Sequence, residues 1–125
     1  MTVTDLEASV AWYEQVFGLM KFMEDPHPGG YTILLMEARS QVIIAVHRHD
    51  ANEGERFAET RTGLDHIGWS VPRREDLDAW EARLREHGVT FTPTVDVEEQ
   101  GIRFSVLVFR DPDNIQLELC WMPEN

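Results

Sequence analysis

The apolar residues of this chain run twice through the same order of periodicities, and that order leaves few folds open. Thr4-Asp5-Leu6-Glu7 reads as a helix start, with Thr4 placed to cap the first turn and Glu7 placed to reach back to it. Leu6, Val10, Tyr13 and Phe17 follow at spacings of 4, 3 and 4, which puts them on one helix face. Gly18 ends the stripe. Strand-length runs follow at Leu19–Glu24, Tyr31–Glu37 and Gln41–His47, with Pro26, Pro28, Gly29 and Gly30 as the turn after the first. The second half repeats this plan. Asp65–Val71 reads as a strand, and Leu77, Trp80 and Leu84 as a helix stripe stopped by Gly88. Val89–Phe91, Ile102–Arg110 and Ile115–Trp121 are three more strands, the last two parted by the turn Asp111-Pro112-Asp113-Asn114. Val3 corresponds to Val71 and Gly18 to Gly88, so the offset drifts from 68 to 70 and beyond, as small loop insertions cause. Residues 51–63 are polar and aperiodic and read as a linker between a first module, about 1–50, and a second, about 64–125.

Bulk properties fit one such α+β domain. The chain has 125 residues, enough to bury a core. Hydrophobic residues make up 42% and charged residues 27%, an ordinary globular balance. No apolar run approaches the ~20 residues of a membrane span, and Met1-Thr2-Val3-Thr4-Asp5 has no signal-peptide character. Cys120 is the only cysteine, so a reducing cytoplasm is the simplest setting. A formal net charge of −12 argues against a nucleic-acid partner, whose phosphates would be repelled. The same acidity favours a cationic ligand, or simply keeps a small protein soluble.

Strand alternation sorts the polar residues. Ile67, Trp69 and Val71 share one face, and His66, Gly68 and Ser70 the other. Ile115, Leu117, Leu119 and Trp121 oppose Gln116, Glu118 and Cys120. On the third strand Val42, Ile44 and Val46 pack, while Ala45, His47 and His49 point the opposite way. The apolar faces take the helices. The polar faces are either solvated or line a concave surface. Imidazole and carboxylate suit Fe, Mn, Zn, Co or Ni, so His66 and Glu118 are a candidate metal pair. By spacing alone they read as a hydrogen-bonded strand histidine and a solvated glutamate.

Three segments carry a family resemblance. Val3-Thr4-Asp5-Leu6-Glu7-Ala8-Ser9 with Trp12-Tyr13 and Phe17-Gly18 resembles the first-helix signature of the glyoxalase/bleomycin resistance protein/dioxygenase (vicinal oxygen chelate) superfamily. Leu64-Asp65-His66-Ile67-Gly68-Trp69-Ser70-Val71 resembles its fifth strand. The run Phe109-Arg110-Asp111-Pro112-Asp113-Asn114-Ile115-Gln116-Leu117-Glu118-Leu119 resembles its closing turn and eighth strand. The resemblance implies paired βαβββ modules forming a curved mixed sheet with helices outside, here with the first strand truncated. It places a divalent metal on His66 and Glu118, with Glu118 also able to move a proton. The fourth-strand ligand position falls on Ala45, and the first-strand ligand about two residues before Met1. Either the natural protein starts further upstream or metal binds poorly here. His47, two residues beyond Ala45, is read as a catalytic acid/base or a rim residue, and Arg103, Gln116 and Cys120 as pocket residues. The implied function is a metal-dependent lyase, isomerase, dioxygenase or thiol transferase acting on a small substrate with adjacent oxygens. The alternative is a metal-free binding protein that sequesters a small, possibly cationic, ligand, as the bleomycin resistance proteins do. Either is expected to work as a cytoplasmic homodimer, the open edge beside the truncated strand being free for a partner.

Overall fold

A computed structural model describes residues 1–123. The chain divides into two compact units, Met1–Phe57 and a second that begins at Ala58. The division falls inside the polar linker.

The first unit holds α1 (Leu6–Phe17), β1 (Met20–His27), β2 (Gly30–Glu37) and β3 (Val42–His49). The strands form an antiparallel sheet in that order. Thr2 adds a single parallel bridge to His47. The helix starts one residue later than the Thr4–Glu7 capping box predicts. Asp5 is the cap: its backbone is extended and its carboxylate accepts the Ala8 N–H at 3.0 Å. A carboxylate there also meets the positive end of the helix dipole. Gly18, at φ 70°, closes the helix with its N–H on Glu14 O. The fully buried line on α1 is Ser9, Tyr13 and Val16, whereas Leu6, Val10 and Phe17 flank it half-buried. Small Ser9 marks the close approach to the sheet, which a ranking by hydrophobicity passes over. Tyr13 and Val16 pack with Val3, Leu19, Ile33, Leu35, Ile44 and Val46 as this unit's core.

The second unit holds β4 (Ile67–Ser70), α2 (Arg74–Glu86), β5 (Phe91–Glu99), β6 (Ile102–Arg110) and β7 (Gln116–Trp121). Its sheet runs β4-β7-β6-β5, with β4 and β7 parallel and the other pairs antiparallel. The core joins Leu77 and Leu84 of α2 to Leu107, Phe109, Ile115, Leu117 and Leu119. The Asp76 carboxylate accepts the Arg73 N–H at 2.9 Å and so anchors the start of α2.

Two strands run beyond their expected ends. β1 continues through Pro26 to His27, and the turn is confined to Pro28-Gly29. β5 extends from Phe91 to Glu99 through Pro93, where only Val89–Phe91 reads as strand. Both are edge strands with a register shift, at Lys21/Met23 and at Thr92/Val95. Proline and acidic residues resemble a loop in one dimension, yet an edge strand accepts them because its outward N–H groups need no partner. Conversely, β4 is shorter than Asp65–Val71, and His66 sits one residue ahead of it instead of in mid-strand.

The two units share a hydrogen-bond signature. Val3 N–H donates to His47 O at 2.9 Å, and Val71 N–H to Cys120 O at 2.8 Å. Val3 therefore matches Val71, and His47 matches Cys120. Counting back two residues on each strand, Ala45 matches Glu118. This register supports the offset of 68 read from sequence.

Candidate functional site

In the second unit, parallel pairing sets Gly68 beside Glu118 and Ser70 beside Cys120. Antiparallel pairing on the other side of β7 sets Val108 beside Glu118 and Arg110 beside Gln116. These residues share one face of the sheet, the one turned away from Leu117 and Leu119. Gly68 leaves that face low: a Cβ there would lie 3.9 Å from the Glu118 carboxylate. His66, just before β4, leans over this gap. Its Nε2 lies 4.0 Å from Glu118 Oε2, and its Nδ1 lies 2.7 Å from Asp65 Oδ1. The Asp65 hydrogen bond, with Glu118 adding to it, raises the His66 pKa.

The donor chemistry of this pair fits two positions of a divalent metal site. Asp65 on Nδ1 leaves Nε2 as the outward-facing donor, the arrangement common for ligating histidines. The 4.0 Å separation is somewhat wider than the roughly 3.0–3.5 Å set by two bonds of about 2.1 Å. Among the described residues no group of three His, Cys, Asp or Glu side chains is placed to hold a metal.

Gln116 shares the face of Glu118, and its Oε1 accepts from Arg110 Nη2 at 2.8 Å. Cys120 is also on that face, half-buried, with Sγ 3.8 Å from Ser70 Oγ. Arg103 is on the other side. It lies five residues before Val108 on an unbroken strand, so it faces away from Glu118. There it lines a separate groove of about 420 Å³ with Arg74, Asp96, Ser105 and Trp121. Arg103, read from sequence as a pocket residue, thus lines a groove on the opposite face of the sheet from Glu118.

His47 lies in the first unit on the face of Ala45. Its Nδ1 is 2.7 Å from Thr32 Oγ1, and the same hydroxyl is 3.3 Å from His27 Nε2. The His47 and His49 rings stack at 6.0 Å, and His27 stands 6.2 Å from His49. Burial lowers the His47 pKa, reinforced by the positive amino terminus, His49 and His27. Neutral imidazole is therefore its form at neutral pH.

Sequence reasoning missed Glu59, Asp65, Arg110 and Thr32 as members of these clusters. Arg110 and Asp65 stood inside the family-like segments, but nothing marked their side chains. Glu59 sits in the aperiodic linker and carried no signal.

Residues 1–119 match the family described as the Glyoxalase/Bleomycin resistance protein/Dioxygenase superfamily. The chain belongs to this superfamily. Among solved structures, a glyoxylase/bleomycin resistance protein/dioxygenase domain from Frankia sp. EAN1pec is 33% identical, covers 98% of this chain and 92% of its own, and superposes with a TM-score of 0.87. A glyoxalase family protein from Enterococcus faecalis is 21% identical over 95% of this chain and 90% of its own, at a TM-score of 0.73. A genomically encoded fosfomycin resistance protein from Listeria monocytogenes, solved with Mn(II) and sulfate, is 17% identical over 98% and 88%, at 0.67. The last two share the fold. No curated protein sequence matches the chain. The superfamily's α+β architecture of βαβββ modules is the one described above, with open sheets. Among the described residues no helix is long and apolar enough to cross a membrane.

Proposed function

We propose that this chain is a metal-dependent enzyme of the vicinal oxygen chelate type, acting on a small substrate with two adjacent oxygens. The observation that carries the reading is the His66–Glu118 pair, with Nε2 and Oε2 4.0 Å apart across Gly68 and the imidazole oriented by Asp65. A divalent metal held there supplies Lewis-acid polarisation of the substrate oxygens. His66 would contribute its Nε2, oriented by Asp65, once a metal replaces the proton there. Glu118 contributes a carboxylate that holds charge or accepts a proton. No hydrogen bond ties this carboxylate among the described residues, which leaves it free for either role. His47, neutral at pH 7, is the second acid/base candidate. The remaining coordination positions fall to substrate, water or a residue of a second copy. Mn(II) in the Listeria monocytogenes relative supports a divalent metal. The reaction class lies among lyase, isomerase, dioxygenase and thiol transfer, in a cytoplasmic homodimer.

The missing third donor and the −12 charge favour a second reading, a metal-free protein that sequesters a small cationic ligand. Metal content separates the two. Protein purified without chelator or histidine tag is expected to hold about one metal per subunit, with the metal lost in His66→Ala and in Glu118→Ala. Failure to bind Fe, Mn, Zn, Co or Ni after each is added would sink the enzyme reading and leave the binding protein.

A further inference from the structure

The polar face of the second sheet carries an ion pair that the His66–Glu118 pair does not use. Arg110 ends β6 opposite Gln116, one step along from the Val108–Glu118 row. Arg110 and Glu118 thus lie on a cross-strand diagonal of one face, about 7–8 Å apart at Cα. Arg110 Nη1 and Nη2 donate to the two carboxylate oxygens of Glu59 at 3.1 and 2.8 Å. Nη2 also donates to Gln116 Oε1 at 2.8 Å. This is the bidentate fork by which arginine recognises a free carboxylate. Glu59 belongs to no helix or strand, and its side chain is 34% exposed. Hydrogen bonding to Arg110 lowers its pKa to about 2, so the group is ionised throughout the physiological range. The pair is partly exposed, so its hydrogen bonds exchange with water and with other carboxylates. A second carboxylate can therefore compete with Glu59 for the same fork.

We propose that Arg110 and Gln116 form a carboxylate seat and that Glu59 is its resident occupant, a built-in competitor displaced by a small organic acid. The acid's carboxylate takes the place of the Glu59 carboxylate on the guanidinium. Its second oxygen function, on the adjoining carbon, points along the face toward Glu118 and His66. That second contact rests on the function proposed above, whereas the seat rests on Arg110, Gln116 and Glu59 alone.

Glycolate, which joins a carboxylate to a hydroxyl-bearing carbon, is the probe, with ethylene glycol as its uncharged comparator. Each is titrated into the metal-free full chain and followed by calorimetry and by the amide resonances of β6 and β7. Glu59→Gln and Glu59→Ala are expected to bind glycolate about tenfold more tightly than the parent, as when a competitor fills the seat some nine-tenths of the time. Arg110→Lys in the Glu59→Gln background is expected to abolish the gain, and ethylene glycol to bind none of these proteins. If Arg110→Lys unfolds, Gln116→Leu in the same background serves instead. Equal affinity in the parent and both Glu59 variants overturns the seat, as does a gain that survives Arg110→Lys. Tighter glycolate binding by a chain that takes up no metal supports the seat and sinks the metalloenzyme. Metal uptake with unchanged glycolate affinity does the reverse.

Discussion

Asp111 shows how one side chain can hold the geometry of a site it does not enter. It is 5% exposed, yet it carries a carboxylate. Its Oδ1 accepts the N–H of Asp113 at 2.9 Å and that of Ile115 at 2.8 Å. The turn it organises puts Asn114 at φ 67°, a left-handed conformation that asparagine tolerates. It also delivers β7, with Gln116 and Glu118, in register against β6. Asp111→Ala leaves two buried donors unpaired, and each costs roughly 1–3 kcal/mol. We expect a loss of about 2–4 kcal/mol by urea denaturation. Asp111→Asn keeps an Oδ1 that can accept both N–H groups and is expected to lose well under half as much. Equal stability of Asp111→Ala and the parent would show that the turn holds its shape without the side chain. The motif Asp111-Pro112-Asp113-Asn114 is legible as a turn in sequence because each residue type has a local reason to be there. The burial of Asp111 is not legible, since nothing local distinguishes a buried aspartate from a solvated one.

At the scale of elements, apolar-rich strands read clearly and the proline-bearing edge strands β1 and β5 do not. β2, β3 and β6 carry apolar runs of four or five residues and β7 alternates apolar with polar ones, and their expected limits agree with the structure to within two residues. β1 and β5 hide behind Pro26 and Pro93, which only the partner strand's one-sided pairing makes acceptable. The face of β3 and β2 that bears His47 carries a chemistry visible only with the strands paired. Thr32 and His47 are cross-strand neighbours, and Asp25 of β1 stands opposite Thr32. Thr32, 5% exposed, places its hydroxyl between two imidazole nitrogens, where it can donate to one and accept from the other. Burial and neighbouring positive charge lower the His47 pKa below 6.5, with Asp25 opposing them. The unfolded chain therefore binds a proton in a range where the native chain does not. Stability from this residue is whole above pH 6.5 and falls as the pH drops from 6.5 toward the lowered native value. As the pH is lowered from 8 to 5, unfolding midpoints are expected to fall more steeply in the parent than in His47→Gln. Parallel profiles would mean that His47 titrates as a solvated histidine.

At the scale of the whole molecule, the apolar residues left outside both cores point to a partner. In the first unit Met20 is 63% exposed, Phe22 47%, Met23 47% and Ile43 56%. Three of the four belong to β1, an edge strand whose side chains are exposed on both faces up to Pro26. Exposed clusters of this kind mark association surfaces in soluble proteins. The net charge of −12 opposes non-specific clustering, so a defined dimer is the economical outcome. A second copy also offers a source for the donor that Ala45 lacks and that no described residue supplies. We expect the parent to sediment as a dimer at micromolar concentration. The double variant Met20→Lys/Phe22→Lys is expected to sediment as a folded monomer, because two charges placed in an apolar contact cost more than it returns. Metal measured on that monomer then locates the missing donor. Metal lost with the dimer, while His66 and Glu118 remain, assigns the donor to the partner copy. Metal retained by the monomer confines the site to one chain.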